Sequence, residues 1–191
     1  ERLIINGKPL RVDHRAGDDR ITSILPGLQA YQWSIAAPTL AQHGAQWGVA
    51  SDLDSQAVAR GQALFRGQAN CVACHSGPAF TDVNSFGLHL ASASVALDKN
   101  YIKFSATRQW RTSPLKGLWQ HPPYFHDGSG ALNRATGKCM DGSDIGSLAS
   151  STDRVRKDLA CVVNRYNDPR EHNLGLTDAQ RADLVEYLKS L

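Results

Sequence analysis

The chain has 191 residues, of which 41% are hydrophobic and 20% are charged, a balance that supports a globular domain with a real core. It contains no apolar run near the roughly 20 residues that cross a bilayer, which excludes a membrane span in this sequence. The net charge of +3 is mild and comes without a run of Lys or Arg, so the sequence does not favour a nucleic-acid partner.

The beginning of the chain predicts little regular structure. Residues 1–22 are polar and mixed, with Asn6-Gly7 as a turn signal after an apolar triplet, which predicts a short hairpin or an arm. Residues 24–35 carry apolar and aromatic side chains at a partly helical spacing, which predicts a helix with one aromatic face turned inward. A loop with one helical turn then leads to the next segment.

A firmer helix is predicted from about residue 55 to residue 68, because its apolar side chains form a stripe and Asp52 or Asp54 can cap its start. Gly61 lies inside this helix, where Gly costs about 1 kcal/mol relative to Ala, so we expect another backbone to approach closely there. The expected partner is the last helix, which follows a capping box at residues 177–180.

Residues 71–75 read C-V-A-C-H, the C-x-x-C-H pattern that attaches a c-type haem. Cys71 and Cys74 can each add to a haem vinyl group, and the imidazole of His75 then becomes the axial ligand of the iron. The same cysteine spacing also suits a dithiol redox pair or half of a zinc site. A redox pair favours a βαβ context, whereas this motif follows a helical segment, and zinc needs a second pair of ligands. The pattern therefore predicts one covalently bound haem c.

The other two cysteines, Cys139 and Cys161, are predicted to form a disulfide. It would close a loop of about 20 residues and contribute about 3 kcal/mol in the chain-entropy model. The alternative is a pair of buried thiols. Covalent haem attachment and a disulfide both favour a compartment outside the reducing cytosol. The chain begins at Glu1 without Met or a signal peptide, which indicates processing or truncation.

The segment between the haem motif and residue 130 is rich in Gly, Pro and Ser, and such a long irregular stretch is expected to wrap the haem. Arg111 is a candidate to neutralise a haem propionate, because a guanidinium forks onto a carboxylate; otherwise it is a solvated charge. Trp110 and Trp119 are candidates to pack on the porphyrin, or else are plain core residues. His126 could bond a propionate, lie on the distal side, or simply tie its own loop together.

The sixth ligand of the iron has several candidates. A helix is predicted over residues 153–167, and Tyr166 shares its apolar face, so it should look into the core where the haem is. Met140 is the only methionine, and its alternative role is a loop residue beside the disulfide. An imidazole or an open site remains possible. Three histidines, His14, His43 and His172, are interpreted as ordinary surface residues.

Several elements together resemble the haem domain of the bacterial di-haem cytochrome c peroxidase and MauG family. They are residues 59–65 (A-R-G-Q-A-L-F), 111–118 (R-T-S-P-L-K-G-L), 124–128 (Y-F-H-D-G), 162–167 (V-V-N-R-Y-N) and 174–178 (L-G-L-T-D). The resemblance covers about residues 24–191. It implies an all-α, class I cytochrome c-like fold, a periplasmic location, and a second axial ligand at the position of Tyr166, which is Met in the peroxidases and Tyr in the MauG branch.

The chain departs from this family in two respects. It carries one C-x-x-C-H motif where family enzymes carry two, and it contains an apparent insertion at about residues 133–154, which we expect to be closed at its two ends by the disulfide. The expected organisation is an N-terminal extension, residues 1–50, packed on a haem domain, residues 51–191.

A single haem motif favours a monohaem cytochrome that passes single electrons to and from a redox partner protein, rather than an enzyme. The alternative is a haem enzyme of the peroxidase or MauG kind, working with a second haem on a partner or on a missing segment. The chain could also be the haem-bearing portion of a longer polypeptide.

Overall fold

Helices dominate the architecture. The computed structural model describes residues 3–5, 8–10, 23–36, 39–82, 88–90 and 109–191. The chain divides into two compact units, Glu1–Ala37 and Pro38–Leu191. This division falls earlier than the boundary expected after residue 50, and the packing of the extension on the haem domain stays a prediction. Among the described residues, no helix combines the length and apolar character that crossing a bilayer requires.

The first unit contains the predicted hairpin and a helix. Strands β1 (Leu3–Ile5) and β2 (Lys8–Leu10) pair antiparallel, with Leu3 opposite Leu10 and Ile5 opposite Lys8. The turn predicted at Asn6-Gly7 lies outside the described residues. Helix α1 (Leu25–Ser34) begins with a proline in its first turn. Its Leu28 and Tyr31 side chains are exposed, so the predicted inward face is not formed. A unit this small offers little core to cover such a face.

The second unit is built on helices α2 (Leu40–His43), α3 (Ser55–Arg66), α4 (Arg154–Asn167) and α5 (Asp178–Ser190). Asp54 caps α3 by accepting hydrogen bonds from the Gln56 and Ala57 amides. Thr177 and Gln180 form the predicted capping box of α5. The caps supply partners for backbone amides that a helix leaves unsatisfied, which is why these starts were readable in the sequence.

Helices α3 and α5 pack directly on each other at Gly61. A Cβ atom at this position would lie 2.1 Å from the carbonyl oxygen of Asp183 and 2.7 Å from Cβ of Tyr187. No residue larger than glycine fits without moving a helix, which confirms the close approach predicted for Gly61. Beside the crossing, Phe65 packs edge-on against Tyr187 and Phe80, with ring centroids 5.3 and 6.1 Å apart.

In the described residues of the second unit, two strand pairs and one isolated bridge accompany the helices. The pair β3 (Leu88–Leu90) and β4 (Gln109–Arg111) and the pair β5 (Leu132–Asn133) and β6 (Lys138–Cys139) are antiparallel. An isolated bridge joins Tyr124 to Gly130. These pairings were not predicted, because strands of two or three residues carry no readable alternation. The mostly helical architecture that the sequence predicts is confirmed.

The predicted disulfide between Cys139 and Cys161 is present, with Cα atoms 5.4 Å apart. Cys139 lies inside the expected insertion, but Cys161 lies seven residues beyond it, on the buried face of α4. The disulfide therefore joins the interior of the insertion to a helix. The expectation that it closes the two ends of the insertion is wrong, because the second cysteine belongs to the helical frame.

A buried ionic cluster joins the N-terminal end of α4 to α5. Arg156 donates two hydrogen bonds to the Glu186 carboxylate, at 2.7 and 2.8 Å, and pairs with Asp153 at 3.2 Å. Lys189 has a fully buried side chain and donates to Asp153. Asp52 joins the cluster from the loop before α3, 3.3 Å from Arg156. The hydrogen bonds to Glu186 raise the pKa of Arg156, which keeps this charge in place.

Candidate haem site

The C-x-x-C-H motif forms a tight turn shortly after α3, which ends at Arg66. Asn70 adopts a left-handed backbone conformation with φ of +46° and directly precedes a 3₁₀ turn at Cys71–Ala73. The backbone amides of Cys74 and His75 both donate to the carbonyl of Cys71, at 3.2 and 2.8 Å. Two thiols and one imidazole are thus held within a single turn.

The orientation of His75 is set by a hydrogen bond between its Nδ1 and the carbonyl oxygen of Phe80, 3.0 Å away. A carbonyl oxygen can only accept, so Nδ1 carries the proton and Nε2 of the neutral ring keeps its lone pair. This is the arrangement that metal-ligating histidines adopt. The loop that presents the carbonyl is itself closed by the amide of Thr81, which donates to the carbonyl of Ser76 at 2.8 Å.

Cys71 and Cys74 are half-buried thiols in this structure. Burial raises the pKa of Cys71 to about 11, and burial together with the negative charge of Asp82 raises the pKa of Cys74. The other two cysteines of the chain, which a zinc site would need, are joined in the disulfide.

Tyr166, on the last turn of α4, lies at the same site. Burial raises its pKa above the ordinary value, and the proximity of Cys71 and Cys74 acts in the same direction. Its ring packs edge-on against Phe125 at 6.1 Å and at a tilt against His172 at 5.1 Å. The structure therefore brings the predicted sixth-ligand tyrosine together with the two thiols of the haem motif.

Met140, the alternative sixth ligand, lies at the surface of the insertion. Its side chain is 57% exposed, and its backbone amide donates to the carbonyl of Ala131 at 3.1 Å. In this arrangement the thioether faces solvent, while the tyrosine is enclosed by aromatic rings.

Two of the predicted haem-bordering residues lie against each other. The rings of Trp110 and His126 are stacked with centroids 4.2 Å apart and an interplanar angle of 37°. The strand that carries Trp110 is connected to the segment after the haem motif, because the Thr81 hydroxyl donates to the Thr112 carbonyl at 2.7 Å. The pair thus lies on the segment that runs beside the haem turn.

The two remaining predicted site residues, Arg111 and Trp119, differ in exposure. Arg111 is exposed on β4, where it is open to a negatively charged group. Trp119 is 1% exposed and belongs to the hydrophobic core, which matches the second of the two roles considered for it.

His172 was interpreted as an ordinary surface residue. It is exposed, but its ring packs on Tyr166. Pro169 follows the end of α4. The chain then turns, and the backbone carbonyl of Asp168 accepts hydrogen bonds from the amides of Glu171 and Asn173, at 2.9 and 3.2 Å. Pro169 cannot continue the helix, so it could have indicated that the chain turns there and that His172 folds back onto Tyr166.

The residues present fit a covalently attached haem c. The turn supplies two thiols and one imidazole, which would hold the porphyrin and its iron, and the last turn of α4 supplies the phenol of Tyr166. Chemically, this set can tether a porphyrin, bind its iron axially and enclose it with aromatic side chains.

Comparison with known proteins gives the same family. The sequence profile of cytochrome c matches residues 58–191. The methylamine utilization protein MauG of Methylorubrum extorquens is 27% identical over 69% of this chain and 33% of its own length. The cytochrome-c peroxidase IdrP1 of Denitromonas iodatirespirans is 33% identical over 90% of this chain and 50% of its own length. MauG of Methylophilus methylotrophus is 33% identical over 61% and 35%.

These relatives are much longer than the region they share with this chain. The chain spans between a third and a half of the length of the curated relatives it matches. No solved structure matches it significantly. The match of the cytochrome c profile covers the haem turn, most of α3, and all of α4 and α5. The chain belongs to the cytochrome c family, as a haem domain related to those of the bacterial di-haem peroxidase and MauG proteins.

Proposed function

We propose that this chain is a haem c domain that transfers single electrons through one haem, attached by Cys71 and Cys74 and ligated by His75. The observation that carries the proposal is the turn at residues 71–75, in which the Nδ1 bond to the Phe80 carbonyl leaves Nε2 as the ligating atom. The bound haem would supply the one-electron chemistry, with its iron alternating between the ferric and ferrous states.

We infer further that Tyr166 is the sixth ligand of the iron. Its place beside both thiols and between two rings supports this assignment over Met140, whose side chain faces solvent. A phenolate oxygen favours the ferric state and lowers the reduction potential. The contacts with the rings of Phe125 and His172 restrict the rotation of the Tyr166 side chain.

Surrounding residues have secondary roles in this proposal. Arg111, exposed on β4, pairs with a haem propionate. Trp110 and His126, stacked on each other, border the haem edge. Trp119, inside the core, contributes the low dielectric that surrounds the porphyrin rather than a direct contact.

The setting of the protein is proposed from its covalent chemistry. A disulfide and thioether-linked haem are both typical of oxidising compartments, which supports a periplasmic location and a redox partner protein that exchanges electrons with the haem. The relatives named MauG and cytochrome-c peroxidase support membership in a periplasmic type of cytochrome.

A second candidate function is oxidation chemistry of the peroxidase or MauG kind, with a second haem on a partner or elsewhere in a longer polypeptide. The names of the relatives favour it, as does the tyrosine at the position that the MauG branch uses. Such an enzyme needs a displaceable sixth ligand and a second source of electrons. The chain's own contribution would be the Tyr166 environment, which decides whether the sixth position opens.

The ligand assignment is tested by low-temperature EPR and near-infrared absorption of the purified ferric protein. We expect the signature of axial His and Tyr ligation in the wild type and its loss in Tyr166→Phe. Tyr187→Phe is the matched control, a buried tyrosine that packs on Phe65 instead. A Tyr166→Phe spectrum identical to the wild type would reject the assignment.

The two candidate functions are separated by mixing the ferric protein with hydrogen peroxide in a stopped-flow spectrometer. Electron transfer predicts a haem spectrum that stays unchanged over seconds, because the sixth position is filled by Tyr166. A rapid change in the haem spectrum would contradict that role and favour the enzyme.

A further inference from the structure

Three contacts join the insertion to one short stretch of α4. Cys139 is joined to Cys161 by the disulfide. The carbonyl of Asp144 accepts a hydrogen bond from Nδ2 of Asn164 at 2.6 Å. The carboxylate of Asp141 pairs with Nε of Arg165 at 3.3 Å. All three links reach the helix in the turn directly before Tyr166.

The linked residues and Tyr166 occupy different faces of the helix. Positions 161, 164 and 165 are neighbours on one face, since residues three and four apart are adjacent in an α-helix. Each residue is rotated by about 100° from the one before it, so Tyr166 lies on a different face of the helix, where its ring contacts Phe125 and His172. The insertion therefore contacts one face of α4, whereas Tyr166 lies on another face of the same helix.

These links are shielded from solvent. The side chains of Arg165 and Asp141 are 15% and 26% exposed, and both disulfide cysteines are buried. By contrast, the ion pair between Lys138 and Asp144 has side chains 50% and 75% exposed. Shielded pairs are weakened less by solvent and salt than exposed ones, so the Asp141 link is the stronger restraint of the two.

The insertion is itself fixed to the helical frame at both sides. The amide of Leu132 donates to the carboxylate of Asp158 on α4 at 2.8 Å. The amide of Ser147 donates to the carboxylate of Asp178, the first residue of α5, at 3.0 Å. Links to two helices make this segment a rigid support, so restraint at its middle is transmitted to α4.

We propose that residues 132–147 form a clamp that positions Tyr166 at the haem. The disulfide and Asp141 act as positioning groups: they keep the last turns of α4 from fraying and thereby set where the phenol oxygen lies. The role given to Tyr166 rests on the proposed function, whereas the restraint on α4 stands on the contacts alone. The effect of the clamp on the iron would pass through α4, the helix that the links restrain and that carries Tyr166.

The sharpest test compares two single substitutions within the clamp in the holo-protein. Asp141→Asn removes the charge that pairs with Arg165, yet its remaining amide oxygen can still accept from the Ser143 amide as Asp141 Oδ1 does at 2.9 Å. Asp144→Asn removes an equal charge from an exposed pair and leaves the backbone carbonyl that accepts from Asn164. A Cys139→Ser/Cys161→Ser double variant removes the covalent link.

The restraint on α4 is measured by the rates at which its backbone amides exchange hydrogen. In Asp141→Asn and in the double variant we expect amides 163–167 to exchange about three- to tenfold faster, with α3 unchanged, since only the end of α4 is released. Asp144→Asn should match the wild type. Exchange at 163–167 that stays at the wild-type rate in both clamp variants, or that rises equally in α3, would overturn the clamp.

EPR of the same ferric samples shows whether Tyr166 stays bound to the iron. We expect a second iron population, lacking the tyrosine signature, in the clamp variants but not in Asp144→Asn. A single wild-type signal in all three variants would overturn positioning of Tyr166. If Tyr166→Phe leaves the wild-type spectrum unchanged, the ligand assignment of the proposed function fails, and hydrogen exchange alone supports or overturns the restraint on α4.

Discussion

The two ends of helix α4 are held by different means. At its N-terminal end, Arg156 and the capping residue Asp153 enter an ionic cluster with Glu186 and Lys189, buried between α4 and α5. At its C-terminal end, a disulfide and polar links come from the insertion, and the last turn carries Tyr166 to the haem site.

The two ends of α4 therefore serve different purposes. The N-terminal end contributes to the free energy of unfolding, and the C-terminal end sets the position of Tyr166. Charges at the N-terminal end are enclosed by helices that build the core, so removing one leaves its partner buried without compensation. Links at the C-terminal end are made by an inserted segment and restrain a single turn. We therefore expect damage at the first end to appear in the free energy of unfolding and damage at the second end to appear in the haem spectrum as well.

The largest effect on stability is expected from Asp153→Ala. It removes the cap of α4 and leaves the fully buried Lys189 with only the Asp52 carboxylate, 3.8 Å away. We expect a loss of about 3–5 kcal/mol in the free energy of unfolding, measured by urea denaturation. The ferric EPR spectrum of the folded variant should match the wild type. A loss below about 1 kcal/mol, the range of exposed ion pairs, would contradict the importance of this cluster.

The Cys139→Ser/Cys161→Ser variant is expected to come second. Opening a loop closed by residues 22 positions apart should lower the free energy of unfolding by about 3 kcal/mol in the chain-entropy model. Urea denaturation of the variant against the wild type measures this. Unlike Asp153→Ala, the variant should also alter the ferric spectrum, so equal spectra would erase the proposed difference between the two ends.

The smallest effect is expected at Asp52, on the rim of the ionic cluster. Desolvation raises the pKa of Asp52, but the charges of Arg156 and Lys189 outweigh it and hold the pKa below its ordinary value of 3.8. A lowered folded-state pKa contributes stability above pH 3.8 that is lost as the pH falls through the folded value. Because the side chain is 75% exposed, this contribution should not exceed about 1 kcal/mol.

The matching measurement is urea denaturation of wild type and Asp52→Asn between pH 7 and pH 2. We expect the stability difference to be constant above pH 5, to vanish below the lowered pKa of Asp52, and to shrink when salt is added at pH 7. If the stability difference between the wild type and Asp52→Asn grew as the pH falls, it would contradict a lowered pKa of Asp52.

The sequence predicted the parts of the molecule whose chemistry is local. Helix starts were readable because Asp54 and Thr177 bond amides within three residues of themselves. The close approach at Gly61 could be predicted because glycine inside a helix is unfavourable unless another backbone packs against it. The carbonyl of Asp183 is that backbone. The C-x-x-C-H turn is likewise complete within a few residues, from Asn70 to the Phe80 carbonyl.

The sequence did not predict contacts that depend on how distant segments meet. Nothing in the neighbourhood of Lys189 indicates that a lysine near the end of the last helix lies fully buried against Asp153, since burial follows from the packing of α4 on α5. The contact of His172 with Tyr166 depends on the loop after Pro169 turning back. The part of the chain that bears Trp110 pairs with a strand about twenty residues earlier, a distance at which pattern gives no register.

The central claim is a haem covalently attached at Cys71 and Cys74, and mass spectrometry of the purified protein tests it most directly. After extraction with acidified acetone, the account predicts that the pigment stays with the protein and that the peptide containing both cysteines carries the mass of one haem. Pigment that is extracted, together with an unmodified Cys71–Cys74 peptide, would contradict the account.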